Sequence, residues 1–176
     1  MRRSAAALAL SLFVLASCGA EQSTRSEWTE TVSPAPITDE TADPIPVDRV
    51  LPDGRYWGTA HEVLGDDGIV FTLVKARFGA TCKAWAAERG LTEGCTNDYA
   101  VDDVTSQLVA VDDLDWVTVA DPAGPGRSYR IEYDTLVDLV RGAKVDMPAG
   151  RTWTPFPFIL EIADGRVTAV DQHWVP

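Results

Sequence analysis

The stretch PFPFILEIADGRVTAVDQHWV, residues 155–175, constrains the fold more than any other. It consists of two alternating segments around Asp164-Gly165, a dipeptide suited to a two-residue type I′ turn because both central residues need positive φ. That register puts Phe158, Leu160, Ile162, Val167 and Ala169 on one face. Glu161, Arg166 and Thr168 fall on the other, with Ile159 and Val170. Such alternation describes an antiparallel sheet with one face on a core. Any fold for this chain must supply a layer to cover that face.

The rest of the chain from residue 47 supplies partners. GRYWGTAHEVLGDDGIVFTLVKARFG (54–79) reads as two strands around Asp66-Asp67-Gly68. A three-residue loop there pairs Val63 with Phe71 and His61 with Leu73, leaving Glu62 opposite Thr72; a two-residue loop would flip one strand. GATCKAWAAERGL (79–91) reads as a helix, with Thr81 as N-cap, alanines favouring helix, Gly90 as the left-handed stop and Leu91 placed for a Schellman contact. SQLVAV (106–111), DWVTVA (115–120) and RSYRIEY (127–133) read as strands between Asp-rich and Pro-Gly turns. DTLVDLVRG (134–142) reads as a short helix capped by Asp134 or Thr135 and stopped by Gly142. The expected class is α+β: an antiparallel sheet, curved or partly barrel-like, packed on two short helices, in one domain of residues 47–176 behind a disordered tether.

The start, MRRSAAALALSLFVLASCGA, has a different character. Arg2 and Arg3 precede an apolar run from Ala5 to Ala16, long enough for a secretory signal and too short for a membrane span of roughly 20 residues. Small residues precede Cys18. Leu15-Ala16-Ser17-Cys18 resembles the lipobox of bacterial lipoproteins. The resemblance implies a leader of residues 1–17, a diacylglyceryl group on the Cys18 thiol, and acylation of the new amine. Two acyl chains anchor a protein firmly, with a gross stabilisation on the order of 20 kcal/mol. An ordinary signal peptide cut near the same place is the alternative, and Arg2-Arg3 is a weak match to a twin-arginine signal.

Three cysteines fit the lipid reading, since modifying Cys18 leaves Cys82 and Cys95 as an even pair. Cys82 lies at the helix start, and the chain from Gly90 is long enough to return Cys95 to it. In an oxidising compartment the two are expected to form a disulfide, contributing about 3 kcal/mol in the chain-entropy model. The mature N-terminal stretch, residues 18–46, is rich in Ser, Thr, Glu and Pro and reads as a tether spanning roughly 30 Å as a coil. Trp28 is its isolated aromatic. Loss of Arg2 and Arg3 lowers the cations from 15 to 13 against 27 acids, a net charge of −14. That charge is repelled by phosphate backbones, so no nucleic-acid partner is expected.

DGRYWG (53–58), the Gly-Ala and Ala-Ala-Glu helix over 79–88, NDY (97–99) and the ending PFILEIADGRVTAVDQHWVP (157–176) together resemble a group of uncharacterised actinobacterial exported proteins and lipoproteins. Within that resemblance Cys82 and Cys95 look like a local addition. It implies an envelope location and carries no activity.

Catalytic chemistry finds little purchase. The two histidines, His61 and His173, and the domain's two serines, Ser106 and Ser128, do not sit in a nucleophile-elbow motif. Cys82, Cys95, His61 and His173 have the wrong spacing for a zinc finger, and export favours the disulfide. The acidic clusters Asp102-Asp103 and Asp112-Asp113-Asp115 lack a calcium-loop pattern and read as solvated turns. Glu62, Glu132 and Glu161 could serve glycoside hydrolysis only if strands bring two of them within roughly 5 to 9 Å. Trp57, Trp85, Trp116, Trp153 and Trp174 read chiefly as core, with a ligand groove as the alternative. The best candidate for ligand contact is the loop CTNDY, through Asn97, Asp98 and Tyr99, with a chain-organising turn as the competing reading. No cofactor is expected. The expected role is a membrane-anchored envelope lipoprotein, a non-catalytic module binding a small ligand or an envelope protein; an exported hydrolase and a structural or immunity-like surface protein are the alternatives.

Overall fold

The computed structural model describes residues 27–32, 51–91, 95, 98–102, 108–111 and 114–175. The elements run β1 (Thr29–Val32), β2 (Gly54–Leu64), β3 (Gly68–Phe78), α1 (Gly79–Glu88), β4 (Tyr99–Asp102), β5 (Leu108–Val111), β6 (Trp116–Ala120), β7 (Arg127–Glu132), α2 (Tyr133–Val140), β8 (Phe158–Ala163) and β9 (Arg166–Gln172). They build one open, mostly antiparallel sheet of nine strands in the order β1-β7-β6-β9-β8-β2-β3-β4, with β5 also on β3. The single parallel contact is Thr118 with Asp171, between β6 and β9. This is the expected α+β class.

Alternation sorts the strands onto two faces. Tyr56, Phe71, Leu73, Val119, Ile131, Phe158 and Leu160 point to one face, where α2 buries Leu136, Val137 and Leu139 against them. Trp57, Val74, Ala76 and Ile159 point to the other and form a second, smaller cluster. The sheet is therefore buried on both sides where β3 and β8 flank Tyr56–Gly58 of β2, and β3 is buried along most of its length.

The last hairpin closes as the dipeptide dictates: Ala163 pairs with Arg166, and Asp164 and Gly165 have φ of 52° and 71°. Two residues further on the register differs from the expectation. A shift after Ile162 makes Thr168 an extra residue, so Val170 sits opposite Leu160 in the main core and Ala169 opposite Glu161 on the other face. The first hairpin differs too. Leu64 pairs with Gly68 and Val63 with Ile69, not Phe71, so the loop is Gly65-Asp66-Asp67. His61 is the bulged residue between Ala60 and Glu62, and Glu62 faces Val70 rather than Thr72. Bulges restore burial by one-residue slips that alternation alone does not reveal.

Both helices start earlier than expected and without side-chain caps. α1 begins at Gly79, so Thr81 lies inside its first turn, and α2 begins at Tyr133, so neither Asp134 nor Thr135 is the cap. Each helix grows straight out of a strand. The first amides are met by backbone carbonyls instead: Gly79 N–H donates to Asp98 at 2.9 Å, and Tyr133 N–H to Asp115 at 3.3 Å. Asp134 still sits in the first turn, where the helix dipole favours it. The helix ends match expectation. Gly90 N–H reaches Ala87 and Leu91 N–H reaches Ala86, while Gly142 and Ala143 repeat the pattern on Leu139 and Asp138. Leu91 itself remains 46% exposed.

Two strands were not expected. β1 falls within the segment read as disordered tether, yet pairs with β7 from Thr29–Arg130 to Val32–Arg127. Trp28 explains it: its ring meets Tyr129 edge-on at 5.7 Å and packs on the main core, giving a short strand an apolar anchor. β4, read as the loop after Asn97, continues the outer edge of β3 beyond β5.

Candidate functional site

Between β2, β3, β4 and the C-terminal end, four aromatic side chains stand in a row. The His173 ring lies 5.4 Å from Trp57, Trp57 lies 5.5 Å from Phe78, and Phe78 lies 5.3 Å from Tyr99. Their bed is Val74, Ala76 and Ile159. Alternation places Trp57 here because its neighbour Tyr56 is committed to the main core. His173 follows β9 directly and is fixed by its N–H donating to the Pro157 carbonyl at 2.9 Å.

The row buries polar atoms without satisfying them. Trp57 Nε1, Tyr99 Oη and His173 Nε2 are all buried and have no hydrogen-bond partner. Trp57 is 1% exposed and His173 7%. An orphaned buried donor costs about 1–3 kcal/mol, and native interiors hold few of them. Three on one aromatic row call for an external partner. The groups are also neutral. Burial pushes the His173 imidazole down; Asp171 pulls it up and Arg55 down, leaving it at about 4. Burial raises the Tyr99 hydroxyl above its ordinary range. The row thus offers ring surface, the donor-only indole of Trp57, the hydroxyl of Tyr99 and a neutral imidazole, with no carboxylate among these residues or their apolar bed. Asp171 and Arg55 act on the His173 end, while the ring surface and polar atoms of Trp57 and Tyr99 match an uncharged molecule bearing acceptors.

Two other buried polar side chains, Gln172 and Asp121, are satisfied. Gln172, fully buried, accepts from Ala120 N–H and Trp153 Nε1 and donates to the Thr154 and Phe156 carbonyls. Asp121 accepts from Ala123 N–H at 2.9 Å, from Arg127 at 3.0 Å, from Tyr129 at 3.3 Å, and from Arg151. Burial pushes its carboxyl up, but the Ala123 N–H, Arg151 and Arg127 together bring it below the usual range. These hubs hold loops to strands.

Of the residues expected to contact ligand, Tyr99 joins the row. Asp98 does not. It sits at positive φ, its N–H donates to Cys95 at 3.1 Å, its carbonyl receives Gly79 N–H, and its carboxylate pairs with exposed Lys83 at 2.6 Å. Through these bonds it ties the loop to the start of α1. Asn97 and the lipid-attachment candidate Cys18 lie outside the described residues. Cys82 and Cys95 are at disulfide distance, with Cα atoms 5.9 Å apart. Cys82 is fully buried.

Glu161 is kept apart from the other two candidate acids. Glu132 on β7 and Glu161 on β8 are separated by β6 and β9, about 14 Å at ordinary strand spacing. Glu62 lies seven residues along β2 from Arg55, the partner of Glu161, which is about 24 Å. His61 is exposed at its bulge. Ser128 is buried on β7, two strands from His173, and Ser106 lies outside the described residues. Among the described residues no group of three or more His, Cys, Asp or Glu converges, and no helix is long and apolar enough to cross a membrane.

Fold and site together define an α+β sheet domain carrying an aromatic row on the face opposite its main core. No protein-family model, curated protein or solved structure matches the chain.

Proposed function

We propose that this is a bacterial envelope lipoprotein, anchored through Cys18 on the extracytoplasmic face of the membrane, whose folded domain binds a small uncharged ligand without transforming it. The observation that carries the binding reading is the trio of orphaned polar atoms, Trp57 Nε1, Tyr99 Oη and His173 Nε2, on one apolar row. The lipobox resemblance at 15–18 supports the address. The separation of Glu161 from both Glu62 and Glu132 favours a binding module over a hydrolase that pairs Glu161 with either.

Tyr99→Phe tests the site because it separates binding from packing. Removing an unpaired buried hydroxyl stabilises the empty protein by about 1 kcal/mol. The same change deletes a contact from the bound state. Native mass spectrometry of the mature protein, released from membranes in mild detergent, should show a small adduct on the wild type that Tyr99→Phe loses. The stripped Tyr99→Phe protein should melt higher than stripped wild type. Absence of any adduct, or an adduct indifferent to Tyr99→Phe, would count against the site.

A further inference from the structure

β1 determines where the anchor leaves the domain. Eight residues, 19–26, separate Cys18 from Glu27, a stretch spanning at most about 32 Å when fully extended. Were β1 not docked, the chain from Cys18 to Leu51 would span up to about 115 Å. Pairing with β7 therefore shortens the leash more than threefold and fixes which end of the sheet approaches the bilayer. That end is β1-β7-β6; in strand order Trp57, Phe78 and Tyr99 lie beyond β9 and β8, and His173 follows β9 itself.

The same end carries an exposed aromatic. Trp116 on β6 is 40% exposed, and the Arg130 guanidinium of β7 lies over its ring at 4.8 Å. Both point away from the main core, since Val117 and Ile131 between them point into it. Arg130 is also the partner of Thr29, so the pair lies directly beside the anchor strand. Among the described residues, the other exposed large apolar side chains, Leu64, Leu91 and Leu108, are all on the far half of the sheet or after α1. An indole with a guanidinium stacked on it suits the headgroup layer, where an apolar body and a polar rim are both accommodated.

We infer that the β1-β7-β6 end, through Trp116 and Arg130, seats on the phospholipid interface into which Cys18 is anchored. The inference rests on the lipoprotein reading. The short leash raises the local concentration of lipid at this face, so a contact too weak to recruit a free protein is enough to orient a tethered one. The net charge of −14 without Arg2 and Arg3 opposes approach by the rest of the surface to anionic lipid.

The test uses the mature lipoprotein in phosphatidylcholine vesicles with brominated acyl chains, compared with unbrominated vesicles. Bromine should lower the tryptophan emission of the wild type. Trp116→Phe should abolish that drop, and Trp174→Phe should keep it. Glu30→Pro combined with Thr31→Pro, which breaks β1 pairing in either hydrogen-bond phase, should abolish it too. An unchanged melting transition for Trp116→Phe shows that the fold is intact. A drop that persists in Trp116→Phe or in the β1 variant, or no drop in the wild type with Cys18 shown by mass to be acylated, overturns the seat alone. An unmodified Cys18 overturns both the seat and the anchor.

Discussion

Gln172 holds Trp153: its side-chain oxygen accepts the indole N–H at 3.2 Å from a position with no solvent exposure. The same amide receives Ala120 N–H and caps the carbonyls of Thr154 and Phe156. One side chain thus ties the Pro-rich approach to β8 onto β6 and β9. Gln172→Leu strands several buried polar groups at once. It should cost about 3 kcal/mol, lowering Tm by roughly 10 °C in a thermal melt. A loss within the error of the melt would mean that these bonds are replaced by water.

Asp121 sets an acid limit on stability. Its carboxyl is held below its ordinary range in the fold, so the stabilisation it provides is full above about pH 4 and is lost as pH falls through the folded value. Asp121→Asn should cost about 3 kcal/mol at pH 7, because it leaves Arg127 and Arg151 facing a neutral group. The gap between variant and wild type should narrow below pH 4. Thermal melts from pH 3 to 7 read both limbs, and a gap that is constant with pH would refute the assignment.

His173 acts over a different range. Its imidazole is lowered to about 4 in the fold against an unfolded value of about 6.5, so between those limits only the unfolded chain takes up the proton. Stability should therefore be full above pH 6.5 and fall by an amount on the order of 3 kcal/mol as pH drops toward 4. His173→Phe should flatten that slope. Chemical denaturation at pH 7 and pH 5 distinguishes the two, and equal slopes would show that His173 is not the group responsible.

The Cys82–Cys95 pair closes a loop of 13 residues that includes the end of α1. Replacing both by serine should cost about 3 kcal/mol. The β3–β4 pairing over Lys75–Phe78 should open first, seen as faster amide exchange there than in β8 and β9. Non-reducing peptide mapping should recover the crosslinked fragment; two free thiols in protein taken from the envelope would contradict the pairing.

Local rules wrote much of the fold into the sequence. Asp164-Gly165 could hardly be anything but a tight turn, Gly90 and Gly142 stop helices wherever helices precede them, and β6 follows from its β-branched residues Val117, Thr118 and Val119. What remained hidden depends on events distant in the chain. β1 needs Tyr129 to give Trp28 a place to pack. The helix starts needed no caps because Asp98 and Asp115, remote in sequence, offer their carbonyls. The bulges at His61 and Thr168 answer to cores assembled from other strands. The aromatic row was half visible: Tyr99 stood out as part of a constrained loop, and Trp57 read as core, which it is. Nothing nearby in sequence marks His173 as their neighbour, since strand order alone brings it there.

The outer edge of β3 has one more consequence. Eleven residues long and apolar on both faces, β3 would be a ready template for another chain if left bare. Instead β5 takes its first half and β4 its second, while β1 closes the opposite margin. Each of these bordering strands is four residues long. β3 therefore offers little unpaired backbone to a neighbouring copy, because the shortest strands of the sheet cover its outer side.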